Sequence, residues 1–197
     1  MKDSISQNDI LQLVIRLSLD NAEKFLKDAE LLINSSSFGH AFALTILALE
    51  ETGKAIYCNW AKDGFVKVDD DFLKNLRTHK TKQKVLKEVL KLVILKAEIN
   101  NCRKSKKRRK IPFKSSSPPC LFLTELEESP QFKSIDAFYG ELEKMKQLAL
   151  YVDIGENGTP SEPGMFTKGV CDKYLRFVQA IFLSAKRGLL SKTVNEE

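Results

Sequence analysis

The stretch AFALTILALEETGK, Ala41–Lys54, decides the fold. It begins as an almost entirely apolar run, and Glu50, Glu51 and Lys54 follow directly. A helix that is apolar on all sides usually lies at the centre of its bundle. We therefore predict a central helix over about 38–61, in which at least one of these charges faces the protein interior and needs a partner.

Apolar residues elsewhere recur three and four positions apart, which is the pattern of buried helical faces. Turn and loop stretches rich in Ser, Asn, Asp, Gly and Pro separate these segments. No alternating, strand-like pattern competes with them. The sequence therefore predicts an all-α fold, an antiparallel helical bundle of about five helices, with helices at about 10–33, 38–61, 70–101, 134–152 (capped by Ser134) and 167–190.

Composition indicates a soluble globular protein, with 43% hydrophobic and 29% charged residues among 197. The net charge of +6 is concentrated in RKSKKRRK, Arg103–Lys110, and a Ser- and Pro-rich stretch follows it. We predict a single helical domain over 1–197 with a basic, Ser/Pro-rich loop insertion at about 103–133. The basic run suits nucleic-acid phosphates, but it equally suits a solvated insertion.

Several absences set the expected compartment. No apolar run approaches the ~20 residues of a membrane span, and MKDSISQNDI at the N-terminus lacks the apolar core of a signal peptide. The four cysteines form no C-x-x-C pair, so free thiols are expected. We predict a cytoplasmic protein with no membrane contact and no cofactor.

The charged end of the central helix has two interpretations. Glu50 and Glu51 lie four and three residues before Lys54, and both spacings bring the side chains together on a helix. Such a pair is most often a solvated face that contributes only tenths of a kcal/mol. The apolar run before it favours a partly buried pair instead, and then Lys54 is the nearby partner for a buried carboxylate.

His79 is the other candidate for chemistry, because it stands among the cations Arg77, Lys80 and Lys82. A histidine in that setting is mostly neutral near pH 7 and suits RNA cleavage, taking a 2′-hydroxyl proton while the cations hold the phosphate. The alternative is a surface histidine on a basic helix face. His40, at the start of the central helix, is interpreted as a packing or capping residue.

A metal site is a further alternative, formed by carboxylates and a histidine at Glu50, Glu51, His79 and Asp153. No E-x-x-H or H-x-x-x-H pair supports it.

Three stretches resemble the AbiV-type abortive-infection proteins of prokaryotes, and they occur in the same order as in that family. They are LDNAEKFLKDAELLINSSSFGHAFALTILALEETGKA from Leu19, HKTKQ from His79, and KMKQLALYVDIGENGTPSEP from Lys144. This family is placed in the HEPN superfamily. The resemblance implies a helical bundle of four or five helices, frequent homodimers and a role in defence against phage.

Many HEPN proteins are metal-independent ribonucleases whose R-x(4–6)-H motif is completed across a dimer interface. No arginine here is followed by a histidine at that spacing, since Arg77 and His79 are two apart. The resemblance carries over a different set, which we expect to converge on one cleft between the second, third and fourth helices: Glu50, Glu51, Gly53, Lys54, His79, Lys82, Tyr151 and Asp153.

Two functions follow from this set. In the first, an antiviral protein acts on RNA or the translation machinery, and it is a ribonuclease if it is an enzyme. The catalytic residues are then His79, Glu51 and Lys54. The binding residues are Glu50, Arg77, Lys82, Tyr151 and Asp153. In the second, a non-catalytic helical module binds a phage or host protein or a nucleotide. Both predict a homodimer.

Overall fold

The computed structural model describes residues 6–78, 81–91, 130–151, 153–154, 160–161 and 166–190. Helices account for nearly all of these residues. In chain order the elements are α1 (Gln7–Asn34), α2 (Phe38–Lys62), α3 (Asp70–Arg77), α4 (81–91), α5 (Pro130–Leu150), β1 (Asp153–Ile154), β2 (Pro160–Ser161) and α6 (Lys168–Leu190). The predicted all-α helical class is confirmed.

The chain divides into two compact units. One consists of Met1–Leu86 together with Leu142–Glu197, and the other of Lys87–Glu141. In the second unit, Lys87 and Lys91 each place an ammonium group 3.0 Å from a carboxylate oxygen of Asp136. These ion pairs lower the pKa of Asp136, chiefly through the hydrogen bond from Lys87. The basic run 103–110 lies outside the described residues.

In the first unit, α1 and α2 form a helical hairpin. Ser6 caps α1 by accepting a hydrogen bond from the Asp9 backbone N–H at 3.2 Å. The predicted break is confirmed at the serines after Asn34, where Ser36 adopts a left-handed φ of 62°. Because three residues join them, α1 and α2 run antiparallel and pack along their lengths.

The central position predicted for α2 is confirmed by its burial. Sixteen of its 25 residues are buried, against eight of 28 in α1. The Phe42 ring packs on α6, with its centroid 4.8 Å from that of Tyr174, and also 4.6 Å from that of Phe166 just before α6. Farther along α2, Tyr57 stacks on Phe72 of α3 at 5.0 Å. Helix α2 is therefore the element that α1, α3 and α6 share.

The predicted long third helix is wrong in one respect, because it is broken at Thr78. The Thr78 backbone is extended (φ −89°, ψ 134°), so α3 ends at Arg77, and the described residues of the next helix, α4, are 81–91. The Thr78 hydroxyl bonds the Asn75 carbonyl at 3.0 Å and the Thr81 hydroxyl at 2.7 Å. Threonine thus offers the backbone a local alternative to the helix.

Helix α5 begins at Pro130, so Ser134 lies inside it and does not cap it as predicted. Proline is well suited to the first helical position, because it has no N–H to leave unpaired and its φ is fixed near the helical value. After α5, within the predicted loop, β1 and β2 pair antiparallel, with Asp153 opposite Ser161. This pair is two residues long on each side and does not change the fold class.

Two further predictions are tested only within the described residues. Cys58 and Cys171 are free, buried thiols, as expected, whereas Cys102 and Cys120 lie outside the description. In the part of the chain that the structure describes, no helix is long and apolar enough to cross a membrane.

Gly53 lies at a close contact between α2 and α4. A Cβ at this position would lie 2.6 Å from the Lys82 carbonyl oxygen and 2.9 Å from Leu86 side-chain atoms. Real Cβ atoms do not come that close, so a larger residue would push α4 away from α2. The glycine costs helix propensity but sets the distance between the two helices.

Replacing Gly53 with alanine is expected to destabilise the protein by about 1–3 kcal/mol, since the contacting carbonyl belongs to backbone and cannot swing aside. Gly188→Ala is the matched control, because Gly188 is also helical and a Cβ there meets nothing within 4 Å. Its expected effect is neutral or stabilising by up to about 1 kcal/mol. Urea unfolding of both variants measures this, and equal stabilities would contradict the close approach.

Candidate functional site

The Glu50 carboxylate is buried in the protein interior, with only 1% of the residue exposed. Its Oε1 accepts hydrogen bonds from the Lys146 ammonium at 3.1 Å and from the Gln83 side-chain amide at 3.2 Å. The spacing in the sequence allowed Lys54 as the partner of Glu50, but in the structure the cation beside Glu50 is Lys146. We call Glu50, Gln83 and Lys146 the buried network, and it ties α2 to α4 and α5.

Lys146 is itself buried, and it also pairs with Glu143 one turn earlier at 2.7 Å. Burial alone would lower the pKa of Lys146, but the hydrogen bond that Lys146 donates to Glu143 and the charge of Glu50 outweigh it and raise the pKa above the usual lysine value. The stabilisation that follows is fully present below the ordinary lysine pKa. It is lost as the pH rises through the raised value.

Sequence reasoning did not single out Lys146 or Gln83, although both lie in stretches that carry the resemblance. One signal was available for Lys146. It stands four residues after Leu142 and three before Ala149, both buried, so a lysine occupies the apolar face of α5. A charge on such a face requires a buried partner of opposite sign.

Glu51 lies beside the buried network but has different partners. Its Oε2 is 2.7 Å from the Lys54 ammonium, and its Oε1 is 3.8 Å from that of Lys82. The three side chains are only partly exposed, at 13%, 24% and 11% respectively. We call Glu51, Lys54 and Lys82 the lysine–glutamate cluster. It brings together three of the predicted site residues.

The open space next to this cluster is on the α1 side. Glu51 and Lys54 form one wall of a groove of about 490 Å³, and residues of α1 between Val14 and Lys24 form the other. The predicted cleft lay between the second, third and fourth helices. The groove described here lies between α1 and α2, with Lys82 approaching Glu51 from α4, and the cleft between the second, third and fourth helices stays a prediction.

The remaining predicted site residues are not brought to the cluster by the described contacts. Arg77 is exposed at the last position of α3, and Tyr151 is 59% exposed just after α5. Asp153 is described only through its backbone pairing in β1. His79 lies outside the described residues, so its catalytic role stays a prediction.

His40 matches its predicted minor role. It is exposed in the first turn of α2, and its Nδ1 lies 3.1 Å from the Ser37 hydroxyl. Ser37 precedes α2 without a side-chain cap bond to the backbone. The His40 ring is therefore a side-chain partner of that hydroxyl at the start of α2.

Cys58 is near the lysine–glutamate cluster but is not a nucleophile. Burial raises the pKa of its thiol to about 11, despite the opposing charge of Lys54. The thiol is therefore protonated at neutral pH and unreactive. Among the described residues, no group of three or more His, Cys, Asp or Glu could hold a metal ion. The metal alternative also involves His79 and Asp153, whose side chains are not described.

The chemistry available at the lysine–glutamate cluster is anion binding. Two ammonium groups share one carboxylate, so the cluster carries a net charge of +1. Glu51 holds both lysines in place, which reduces the side-chain entropy that a ligand would otherwise have to remove. A phosphate group suits such a site, because lysine donates charge-assisted hydrogen bonds to its oxygens.

The described part of the chain is a helical bundle whose central helix carries the motif E-E-x-G-K at residues 50–54. A family model, described as AbiV and belonging to the HEPN group, matches residues 11–182. The chain belongs to the AbiV family of HEPN proteins. Its general role is therefore that of an abortive-infection protein, in defence against phage.

Neither the curated proteins nor the solved structures include a match to this chain.

Lys146→Met is expected to destabilise the protein by about 3–5 kcal/mol, because it removes a buried cation that lies 3.1 Å from the Glu50 carboxylate. The matched control is Lys186→Met. Lys186 also pairs with a glutamate, Glu23 at 2.6 Å, but both side chains are 35% exposed, so about 1 kcal/mol or less is expected. Urea unfolding measures the free energy of unfolding of both variants. Similar losses would show that the buried network contributes no more stability than an exposed ion pair.

Proposed function

We propose that this AbiV-family protein acts in phage defence by binding RNA at the lysine–glutamate cluster. The observation that carries the proposal is the Glu51 carboxylate held between the ammonium groups of Lys54 and Lys82. The cluster has a net positive charge and is preorganised, and two of its members, Glu51 and Lys54, line a groove. Those are the requirements for holding a phosphate diester.

If the protein is also a ribonuclease, we propose that His79 transfers the proton. It is the histidine nearest in sequence to Lys82, and a neutral imidazole can take a proton from the 2′-hydroxyl. The 2′-oxygen then bonds to phosphorus, the P–O5′ bond breaks, and the leaving 5′-oxygen takes a proton from water. Lys54 and Lys82 would then stabilise the charge that develops on the phosphate. Glu51 positions these lysines and does not itself contact the reacting atoms.

Lys54→Ala and Lys82→Ala are each expected to weaken binding of a single-stranded oligoribonucleotide roughly tenfold, since a hydrogen bond to a charged group contributes about 1.5 kcal/mol or more. Fluorescence anisotropy with the purified full chain measures this. Lys173→Ala, on the exposed face of α6, is the control and should bind like wild type. Unfolding curves of all variants separate lost binding from lost folding.

The same RNA tests catalysis when its length is followed over time, with wild type compared with His79→Ala. Cleavage that depends on His79 supports the ribonuclease. Background cleavage by both proteins removes the catalytic step and leaves RNA binding. Wild-type protein that does not bind RNA contradicts the proposed function itself.

A second candidate function, a non-catalytic interaction module, is favoured by an apolar stripe on α1. Ile10, Leu13 and Leu17 stand three and four residues apart and are 50%, 44% and 54% exposed. An exposed apolar face of this kind marks a protein–protein contact. We propose a second copy of this chain as the partner, since a helix face can pack on its own copy about a two-fold axis.

Leu13→Asp is expected to convert the homodimer to a monomer without lowering the free energy of unfolding of the monomer, because Leu13 is already largely exposed. Sedimentation over a range of concentrations gives the masses. Leu73→Asp on α3, where the leucine is 49% exposed, is the control and should stay dimeric. A wild type that is monomeric throughout would contradict the homodimer.

A further inference from the structure

The groove between α1 and α2 contains a buried hydroxyl that the fold leaves unsatisfied. Ser18 is 2% exposed and is one of the residues that line the groove. Its Oγ has no hydrogen-bond partner among the described residues. Leaving a buried polar group unpaired costs about 1–3 kcal/mol.

Other buried hydroxyls in this unit are satisfied within their own helix. Thr45 and Thr52 each donate to the carbonyl oxygen four residues earlier, at 2.8 Å. Ser18 does not use the equivalent carbonyl in α1. The unpaired group thus indicates a ligand at that wall.

The chemistry of the groove changes in order along α1. Val14 and Leu17 line one end, and Ser18 and Asn21 come next. Lys24 follows one turn later. From Val14 to Lys24 the helix rises by about 15 Å, so this wall is apolar at one end and polar from Ser18 onward, with the carboxylate of Asp20 before the ammonium group of Lys24.

The facing wall adds a second cation at the polar end. Lys54 and Glu51 of α2 both line the groove. Lys54 and Lys24 thus contribute the positive charges, and Asp20 with Glu51 contributes an equal number of negative ones. The groove is neutral overall but divided into an apolar end and a charged end.

We infer that this groove binds a single nucleotide unit. The base packs on Val14 and Leu17, and the sugar hydroxyls pair with Ser18 and Asn21. The phosphate contacts Lys24 and Lys54. A nucleotide has these three chemical parts in the same order as the groove, and a volume of about 490 Å³ falls in the range of small-ligand sites.

This inference deepens the proposed function, on which it rests, by naming the unit recognised next to the lysine–glutamate cluster. Two consequences distinguish it from general polyanion binding. Because the acidic and basic groups in the groove balance, only one or two phosphates of the ligand are neutralised. A plot of log Kd against the logarithm of the salt concentration should therefore have a slope of about 1 for a single-stranded ligand. Since no aromatic side chain lines the groove, the base is not stacked and little base preference is expected.

The test measures binding of adenosine 5′-monophosphate and of a hexauridylate RNA to the full chain by titration calorimetry. Ser18→Ala is expected to weaken binding of the recognised ligand at least fivefold. It should leave the unfolding midpoint equal or higher, because an unsatisfied hydroxyl is removed. A purely structural serine would show the opposite pair of effects.

Lys24→Ala and Lys27→Ala form the matched pair, since both lysines are exposed on α1 but only Lys24 lines the groove. Lys24→Ala should weaken binding and Lys27→Ala should not.

The outcomes separate the inference from the proposed function. If wild type binds the RNA but Ser18→Ala and Lys24→Ala bind equally well, the nucleotide groove is wrong and RNA binding stands. If only the mononucleotide binds and both variants lose it, the groove is right, its ligand is a free nucleotide, and the proposed RNA function fails. If neither ligand binds wild type, both fail.

Discussion

The buried carboxylate of Glu50 is the constraint on which the rest of the structure depends. A carboxylate in an apolar helix cannot remain unpaired, and two of its partners come from other helices: Gln83 of α4 and Lys146 of α5. The requirement to satisfy one charge therefore fixes where two elements meet α2. Gly53, one turn away, lets the α4 backbone come close enough for this to happen.

The next residue along the chain has the opposite role. Successive residues on a helix point about 100° apart, so Glu50 faces the interior while Glu51 reaches the edge of the groove beside α1. The first glutamate stabilises the bundle, and the second forms ion pairs with Lys54 and Lys82, where we propose that a phosphate binds. Two identical side chains thus do different work because of their positions on one helix.

Local patterns in the sequence predicted much of this. The apolar run predicted the central α2, and a spacing of three residues allowed the Glu51–Lys54 pair. The partner of Glu50 could not be found in this way, since Lys146 is 96 residues distant and only packing brings it near. The break at Thr78 was missed because a threonine is tolerated in helices, and its hydroxyl bonds decide the outcome. The inference that the groove binds a ligand rests on the unpaired Ser18 hydroxyl. No pattern in the sequence indicates that a serine hydroxyl will be left unpaired.

A comparison of two double-mutant cycles tests the central claim most directly, that the first glutamate is structural and the second is not. One cycle combines Glu50→Gln with Lys146→Met, and the other combines Glu51→Gln with Lys54→Met, each measured as the free energy of unfolding in urea. The account predicts a coupling of about 2 kcal/mol or more for the buried pair and below about 1 kcal/mol for the partly exposed pair. Equal couplings, or a larger one for Glu51 and Lys54, would contradict it.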